Sequence, residues 1–278
     1  MSIAVVTDST ACLTPEMVSD SNVGVVPIHV IVDGRTYYDG LDISGDEVAA
    51  ALKRGASVST SKPTPQQFLD AYTAAADSGA EAILSVHVSA ALSGTYDSAR
   101  LGARDSRVPV TVVDTHSIAM GLGFAAMAAS RAAGGGATVE EAAEVARTTA
   151  ARSQVLFYVD TLEFLRRGGR IGKASAWLGG ALRVKPLLHV VDGEVAPLEK
   201  ARTANRALGR LTDLAVEAAG GQPVQVAVQH LQAAERAEAM AQQLREKLTT
   251  DVVVCEVTAV MGVHVGPGCV AVTVAPAP

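Results

Sequence analysis

Aromatic residues are scarce in this 278-residue chain, making up 4% of it with a single Trp. The core must therefore be filled by Ala, Val, Leu and Ile. Cysteine is rarer still, with only Cys12, Cys255 and Cys269. They lie far apart and form no CxxC pair, which excludes a disulfide framework and a zinc site of the usual spacing. A reducing cytoplasm is the expected setting. No apolar run approaches the ~20 residues that cross a bilayer. Positive charge is not in excess: 23 Lys and Arg stand against 29 Asp and Glu, a net charge of −6. That balance argues against a broad nucleic-acid or anionic-membrane surface but leaves room for a small basic site. The six histidines show no metal-ligand spacing, so no metal is expected. Charged residues are only 19% and apolar residues 49%, which excludes disorder.

The start, Met1 to Asp8, has no basic or long apolar stretch and reads as a first strand, not a signal peptide. Strand and helix patterns then alternate. Ile3 to Thr7 and Val23 to Val32 are β-branched runs. Ser44 to Glu47, Thr64 to Gln67 and Thr138 to Glu141 are capping boxes, each opening a helix. Ala82 to Val88 and Val108 to Asp114 are further strands, and a helix is expected from about Ser117. This alternation predicts a parallel α/β sheet. The second half differs. Asp192-Gly193 between apolar residues signals a hairpin, and helices over 204–219 and 233–248 separate three more strands. The expected fold is α/β with two domains: residues 1–150 with a mainly parallel sheet, and residues 151–278 as an α+β unit with a mainly antiparallel one.

Two nucleotide signatures fail. Arg167 to Ala174 looks like a P-loop, but it has Arg167 where the first Gly belongs and Ala174 where a Ser or Thr should hold magnesium. Gly121 to Ala126 fits GxGxxA, but several residues separate it from the preceding strand, so these glycines are expected to serve close helix packing.

Four segments could carry chemistry. Ser59 to Pro65 and Ala91 to Tyr96 are hydroxyl-rich and lie near predicted helix N-termini, where an anion is favoured. Plain N-capping is the alternative for each. Leu165 to Gly172 places three arginines among three glycines, which suits a phosphate or carboxylate, or else a solvated basic turn. Gly262 to Gly268 sets His264 beside a Gly-Pro-Gly turn, and a structural histidine is the plainer reading.

Taken in order, several short matches resemble the DegV family of bacterial proteins. They are Val6 to Thr10, Thr60 to Pro63, Leu92 to Tyr96, Val113 to Thr115, Leu162 to Gly172, Lys185-Pro186 and His264 to Gly268. The resemblance implies a DegV-like fold of two domains with a long-chain fatty acid bound between them. It also implies a carrier that presents the carboxylate to a partner ATP-dependent fatty acid kinase, which makes an acyl phosphate. The chain itself would then be no enzyme and need no cofactor. Thr60 and Ser93 would hydrogen-bond the carboxylate, with Ser61, Gly94 and Thr95 nearby and His264 beside it. Arg170 would assist the partner's phosphotransfer, and Arg166, Arg167 and Arg170 are inferred to dock the kinase. Membrane contact would be transient at most. Three positions depart from the family pattern: Lys62 where Gln is frequent, Ala90 where Ser is common, and Cys269 where a small residue is frequent.

Two other functions stay open on the residues. One is a binder of a small anionic or phosphorylated metabolite, which needs no long apolar tunnel. The other is a serine hydrolase with Ser93 as nucleophile, His264 as base, and Asp8 or Asp114 completing a triad, although no GxSxG elbow is present.

Overall fold

The computed structural model describes residues 1–177 and 184–278. The elements run in chain order β1 (Ile3–Asp8), α1 (Pro15–Ser21), β2 (Val23–Val26), β3 (His29–Val32), β4 (Arg35–Tyr38), α2 (Gly45–Lys53), β5 (Val58–Ser61), α3 (Pro65–Asp77), β6 (Ala82–His87), α4 (Thr95–Ala103), β7 (Val110–Asp114), α5 (Met120–Gly134) and α6 (Val139–Arg152). There follow β8 (Gln154–Tyr158), α7 (Glu163–Arg167), β9 (Lys185–Val191), β10 (Glu194–Ala201), α8 (Ala204–Ala219), β11 (Val224–His230), α9 (Ala234–Leu248), β12 (Val252–Glu256), α10 (Ala259–Val265) and β13 (Val270–Pro276).

The first sheet has the order β2-β1-β6-β7 and is parallel throughout. Every residue of β6 is buried, as expected of a parallel strand covered on both faces. Helices α3 and α4 cover one face and α5 and α6 the other. The second sheet has the order β10-β9-β8-β13-β11-β12 and is antiparallel except for the β11–β12 pair. Helices α8 and α9 pack on its far side, while α5 and α6 also touch β13. The molecule is thus layered helix, sheet, helix, sheet, helix. Many of the buried residues of the shared central layer are small: Gly121, Gly123, Ala125, Ala126 and Ala129 on α5, and Ala142, Ala143, Ala146 and Ala150 on α6, with Met120, Leu122 and Phe124 the large ones on α5. A Cβ on Gly123 would sit 2.5 Å from the Ala11 carbonyl oxygen. The GxGxxA glycines are therefore packing glycines, as expected.

A small antiparallel sheet, β4-β3-β5, lies to the side with α2 and α10 against it. It corrects the reading of Val23 to Val32 as one run. Pro27 has no N–H to continue a ladder, and the Ile28 amide turns away to donate to Ser9 Oγ at 3.1 Å. β2 therefore joins the first sheet and β3 the small one. Strand β5 adds a feature that the sequence reading lacks, since Ser59, Thr60 and Ser61, just before α3, are paired with β3. The helix expected from Ser117 begins at Met120, after a turn in which His116 and Ala119 both have positive φ.

All three capping boxes form as read: Ser44 with Glu47, Thr64 with Gln67, and Thr138 with Glu141. Helix α10 has no such local signal. Its sequence holds three valines and a glycine, and its N-cap Thr258 makes no capping bond. Asp39 caps it from across the chain, its Oδ1 accepting from the Val260 amide at 3.3 Å.

Candidate functional site

The carboxyl ends of β1 and β6, the small sheet, α10 and the first strands of the second sheet enclose a cavity of about 190 Å³. This exceeds the ~150 Å³ of an apolar cavity that stays dry and takes up benzene. Most of its wall is apolar. Val155 and Phe157 come from β8, Val190 from β9, Val195 from β10, Met261 from α10 and Ile118 from the turn before α5. Such a wall suits a hydrocarbon and gives an unpaired charge nothing to bind.

The polar groups converge through a run of contacts. Thr60 Oγ1 on β5 lies 3.0 Å from His264 Nε2 on α10. The other face of the imidazole rests on Gly168, where any Cβ would collide with His264 Nδ1. The Gly168 carbonyl in turn accepts from Arg170 Nη1 at 2.7 Å, and the Leu92 carbonyl accepts from Arg170 Nε at 3.0 Å. Leu92 is followed by Ser93 and Gly94, the latter being the N-cap of α4. The Lys62 side chain crosses beside it, so that a Cβ on Gly94 would sit 3.0 Å from Lys62 Nζ. Thr60, Ser61, Lys62, Ser93, Gly94, Arg170 and His264 all line the cavity.

His264 is held neutral. Burial pushes its pKa down to about 4, and the nearby Arg170 charge adds to the effect. Its Nδ1 is buried with no partner among the described residues. A buried N–H without an acceptor is rarer than an unused lone pair, so the proton is assigned to Nε2, donating to Thr60 Oγ1. The Thr60 hydroxyl proton is then free to turn toward an acceptor in the cavity. Asp39 caps the helix that carries His264, and burial raises its own pKa.

The remaining predicted residues divide. Thr95 does not line the cavity; it is buried and shares a 2.8 Å bond with Ser93 Oγ, which also accepts from the Thr95 amide at 3.3 Å. Arg166 and Arg167 stand outside it, exposed and bridged to Glu163 at 2.7 Å each. Among the described residues Arg170 and Lys62 have no carboxylate partner. The start of α3 contributes no residue to the wall, whereas the N-caps of α4 (Gly94) and α5 (Ala119) and the first turn of α10 (Val260, Met261) do.

The hydrolase geometry is missing. Ser93 bonds to Thr95, and His264 bonds to Thr60. Asp114 accepts from the amides of Ala90 and His116. Asp8 instead forms a sealed relay: its Oδ2 lies 2.9 Å from His87 Nδ1, His87 Nε2 lies 2.6 Å from Ser85 Oγ, and Ser85 Oγ lies 2.8 Å from the Tyr72 hydroxyl. Asp8, Ser85 and His87 are fully buried and do not line the cavity. This is a structural network that joins β1 to β6. It had a sequence signal in the Thr7-Asp8-Ser9 turn, but its partners could be found only in the fold.

The DegV family model, described as "Uncharacterised protein, DegV family", matches residues 2–277. The chain belongs to the DegV family. A DegV domain-containing protein of Streptomyces coelicolor is 48% identical over 274 residues, 98% of either chain. One from Deinococcus radiodurans is 39% identical over 280 residues, 99% of either chain. Among solved structures, a fatty-acid-binding DegV family protein from Thermus thermophilus superposes with a TM-score of 0.91 at 32% identity and full coverage of both chains. DegV of Bacillus subtilis, described as a fatty acid binding protein, gives 0.92 at 29% identity, again with full coverage of both. The two-sheet architecture above is thus the DegV fold. No helix among the described residues is long and apolar enough to cross a membrane.

Proposed function

We propose that this DegV protein is a fatty-acid carrier that buries the acyl chain in the cavity and presents the carboxylate to a separate ATP-dependent kinase. The supporting observation is one cavity with an apolar wall, lined also by Thr60, Ser61, Ser93 and an Arg170 that has no carboxylate partner among the described residues. The fatty-acid binding of its structural relatives supports the same reading. On this reading residues 1–150 and 151–278 are the two units between which the chain inserts. Burying about fifteen methylenes contributes roughly 12 kcal/mol gross, at ~0.8 kcal/mol each. Lost freedom of the lipid offsets much of that. Thr60, Ser61 and Ser93 hydrogen-bond the carboxylate, Gly94 and Thr95 position Ser93, and His264 orients Thr60.

A carboxylate held by hydroxyls stays ionised and nucleophilic. Its oxygen attacks the γ-phosphorus of the kinase-bound ATP, the bond to the β-phosphate oxygen breaks, and ADP leaves. The carrier then holds the acyl phosphate. Arg170 stabilises charge on the transferring group, and exposed Arg166 and Arg167 dock the kinase. A cytoplasmic setting, where ATP is available and thiols stay reduced, belongs to this reading.

Native mass spectrometry of the purified protein, followed by lipid identification, tests it. A fatty acid at near-unit stoichiometry is expected. A protein that carries none and takes up none when offered would overturn the carrier and favour a small-anion binder. Arg170→Ala is expected to keep lipid binding and lower phosphorylation by the kinase; an unchanged phosphorylation rate would remove the role given to Arg170.

A further inference from the structure

We propose that Lys62 tunes the head-group site toward a doubly charged head, so that the cavity prefers a long-chain lipid ending in a phosphate dianion over the same chain ending in a carboxylate. This rests on the carrier reading above. Its ground is an imbalance of charge. Arg166 and Arg167 are paired with Glu163, and Lys173 lies 3.9 Å from Glu194. The two cations that line the cavity, Lys62 and Arg170, have no carboxylate within ion-pair distance among the described residues. Among the described residues Arg170 is anchored only on the carbonyls of Leu92 and Gly168.

Lys62 also lies where a cation is poorly placed. Its amine passes beside Gly94, the N-cap of a nine-residue helix that has no side-chain cap. Helix N-termini favour negative charge, so an ammonium there is electrostatically frustrated until an anion arrives. On the carrier reading a single carboxylate is served by the hydroxyls of Thr60 and Ser93 and by Arg170, while Ser61 Oγ lies 3.3 Å from His29 Nδ1. Lys62 is surplus for it and suited to a second charge. A phosphate monoester supplies that charge, since it carries about −1.5 to −2 near neutral pH. Lys62 and Arg170 are exposed at the cavity mouth, so the preference should weaken with salt.

The test compares hexadecanoate, hexadecyl phosphate and inorganic phosphate by calorimetry on the full chain and on Lys62→Gln and Lys62→Arg, with circular dichroism checking the fold of each variant. Hexadecyl phosphate is expected to bind the unaltered protein more tightly than hexadecanoate. Lys62→Gln should lower that preference by about tenfold, or 1.4 kcal/mol. Lys62→Arg should keep it within about threefold, and raising salt should reduce it. A preference unchanged in Lys62→Gln, with both lipids still bound, would overturn the role of Lys62 and leave the carrier standing. Binding of neither lipid would overturn the carrier itself. Inorganic phosphate binding as tightly as hexadecyl phosphate would overturn both, because the head alone would then be the ligand.

Discussion

Gly168→Ala separates binding from folding in this protein. Gly168 ends α7 with φ −75° and ψ −7°, a helical conformation that alanine adopts freely. The backbone therefore has no reason to keep glycine. Alanine even reduces the freedom of the unfolded chain, worth about 0.5–1 kcal/mol of stability at such a position. The constraint is the His264 ring. A Cβ at 168 would collide with Nδ1 and sit 2.8 Å from Cε1 and 3.3 Å from Cγ. The ring must move, and its 3.0 Å bond to Thr60 breaks. Leaving the partly buried Thr60 hydroxyl misdirected costs about 1–3 kcal/mol of head-group binding. Fatty-acid affinity should fall roughly 5- to 150-fold. The melting temperature should fall by up to about 5 °C, since the displaced ring costs up to ~2.5 kcal/mol more than the gained rigidity returns, at about 2 °C per kcal/mol in a chain of this size. Displacement of a fluorescent fatty acid measures the first quantity and calorimetry the second. Hexadecanoate bound by Gly168→Ala as tightly as by the unaltered protein would refute the chain of contact from Gly168 through His264 to Thr60.

Three further outcomes follow from the same structure. His264, with its pKa pushed down to about 4, should appear neutral by nitrogen NMR at about pH 6, where an ordinary histidine near 6.5 is mostly charged. Because the folded value lies below the unfolded one, the unfolded chain takes the proton first, and stability should fall as pH drops from about 6.5 toward 4; a titration near 6.5 would contradict the burial argument. Asp8→Asn should destabilise the fold by about 2–4 kcal/mol in urea, because Asp8 accepts from the Thr10 amide and hydroxyl, from His87 and from the Val88 amide, and one amide nitrogen cannot accept. An unchanged midpoint would mean the sealed relay is dispensable. Gly123→Val should cost about 1–3 kcal/mol, as α5 is forced off the Ala11 carbonyl and Leu13; a neutral effect would show that the central helix layer can give way.

Helices with local signals are legible in the residues themselves. The three capping boxes mark the starts of α2, α3 and α6 within a residue, and Asp192-Gly193 marks the turn between β9 and β10. Helix α8 occupies Ala204–Ala219, as its pattern predicts. The failures share a different cause. Residues 23–32 are apolar over most of their length, and only pairing partners decide that β2 and β3 enter separate sheets. Ser59 to Ser61 gives no strand signal of its own, because its strand is held by β3 and not by its own burial. Helix α10 depends on a cap 221 residues away in sequence.

The site shows the same split. Sequence alone named the residue types that were candidates: hydroxyls at 60, 61 and 93, an arginine in a glycine turn and a histidine beside Gly-Pro-Gly. The tertiary structure decided which of them meet. It put Thr60 on His264, rested His264 on Gly168, anchored Arg170 on backbone carbonyls, and turned Arg166 and Arg167 away to Glu163. It also gave Asp8 to a sealed network instead of a catalytic one. Residue type fixes which bonds a group can make. Which bonds it does make is set by neighbours that pairing and packing bring from distant parts of the chain.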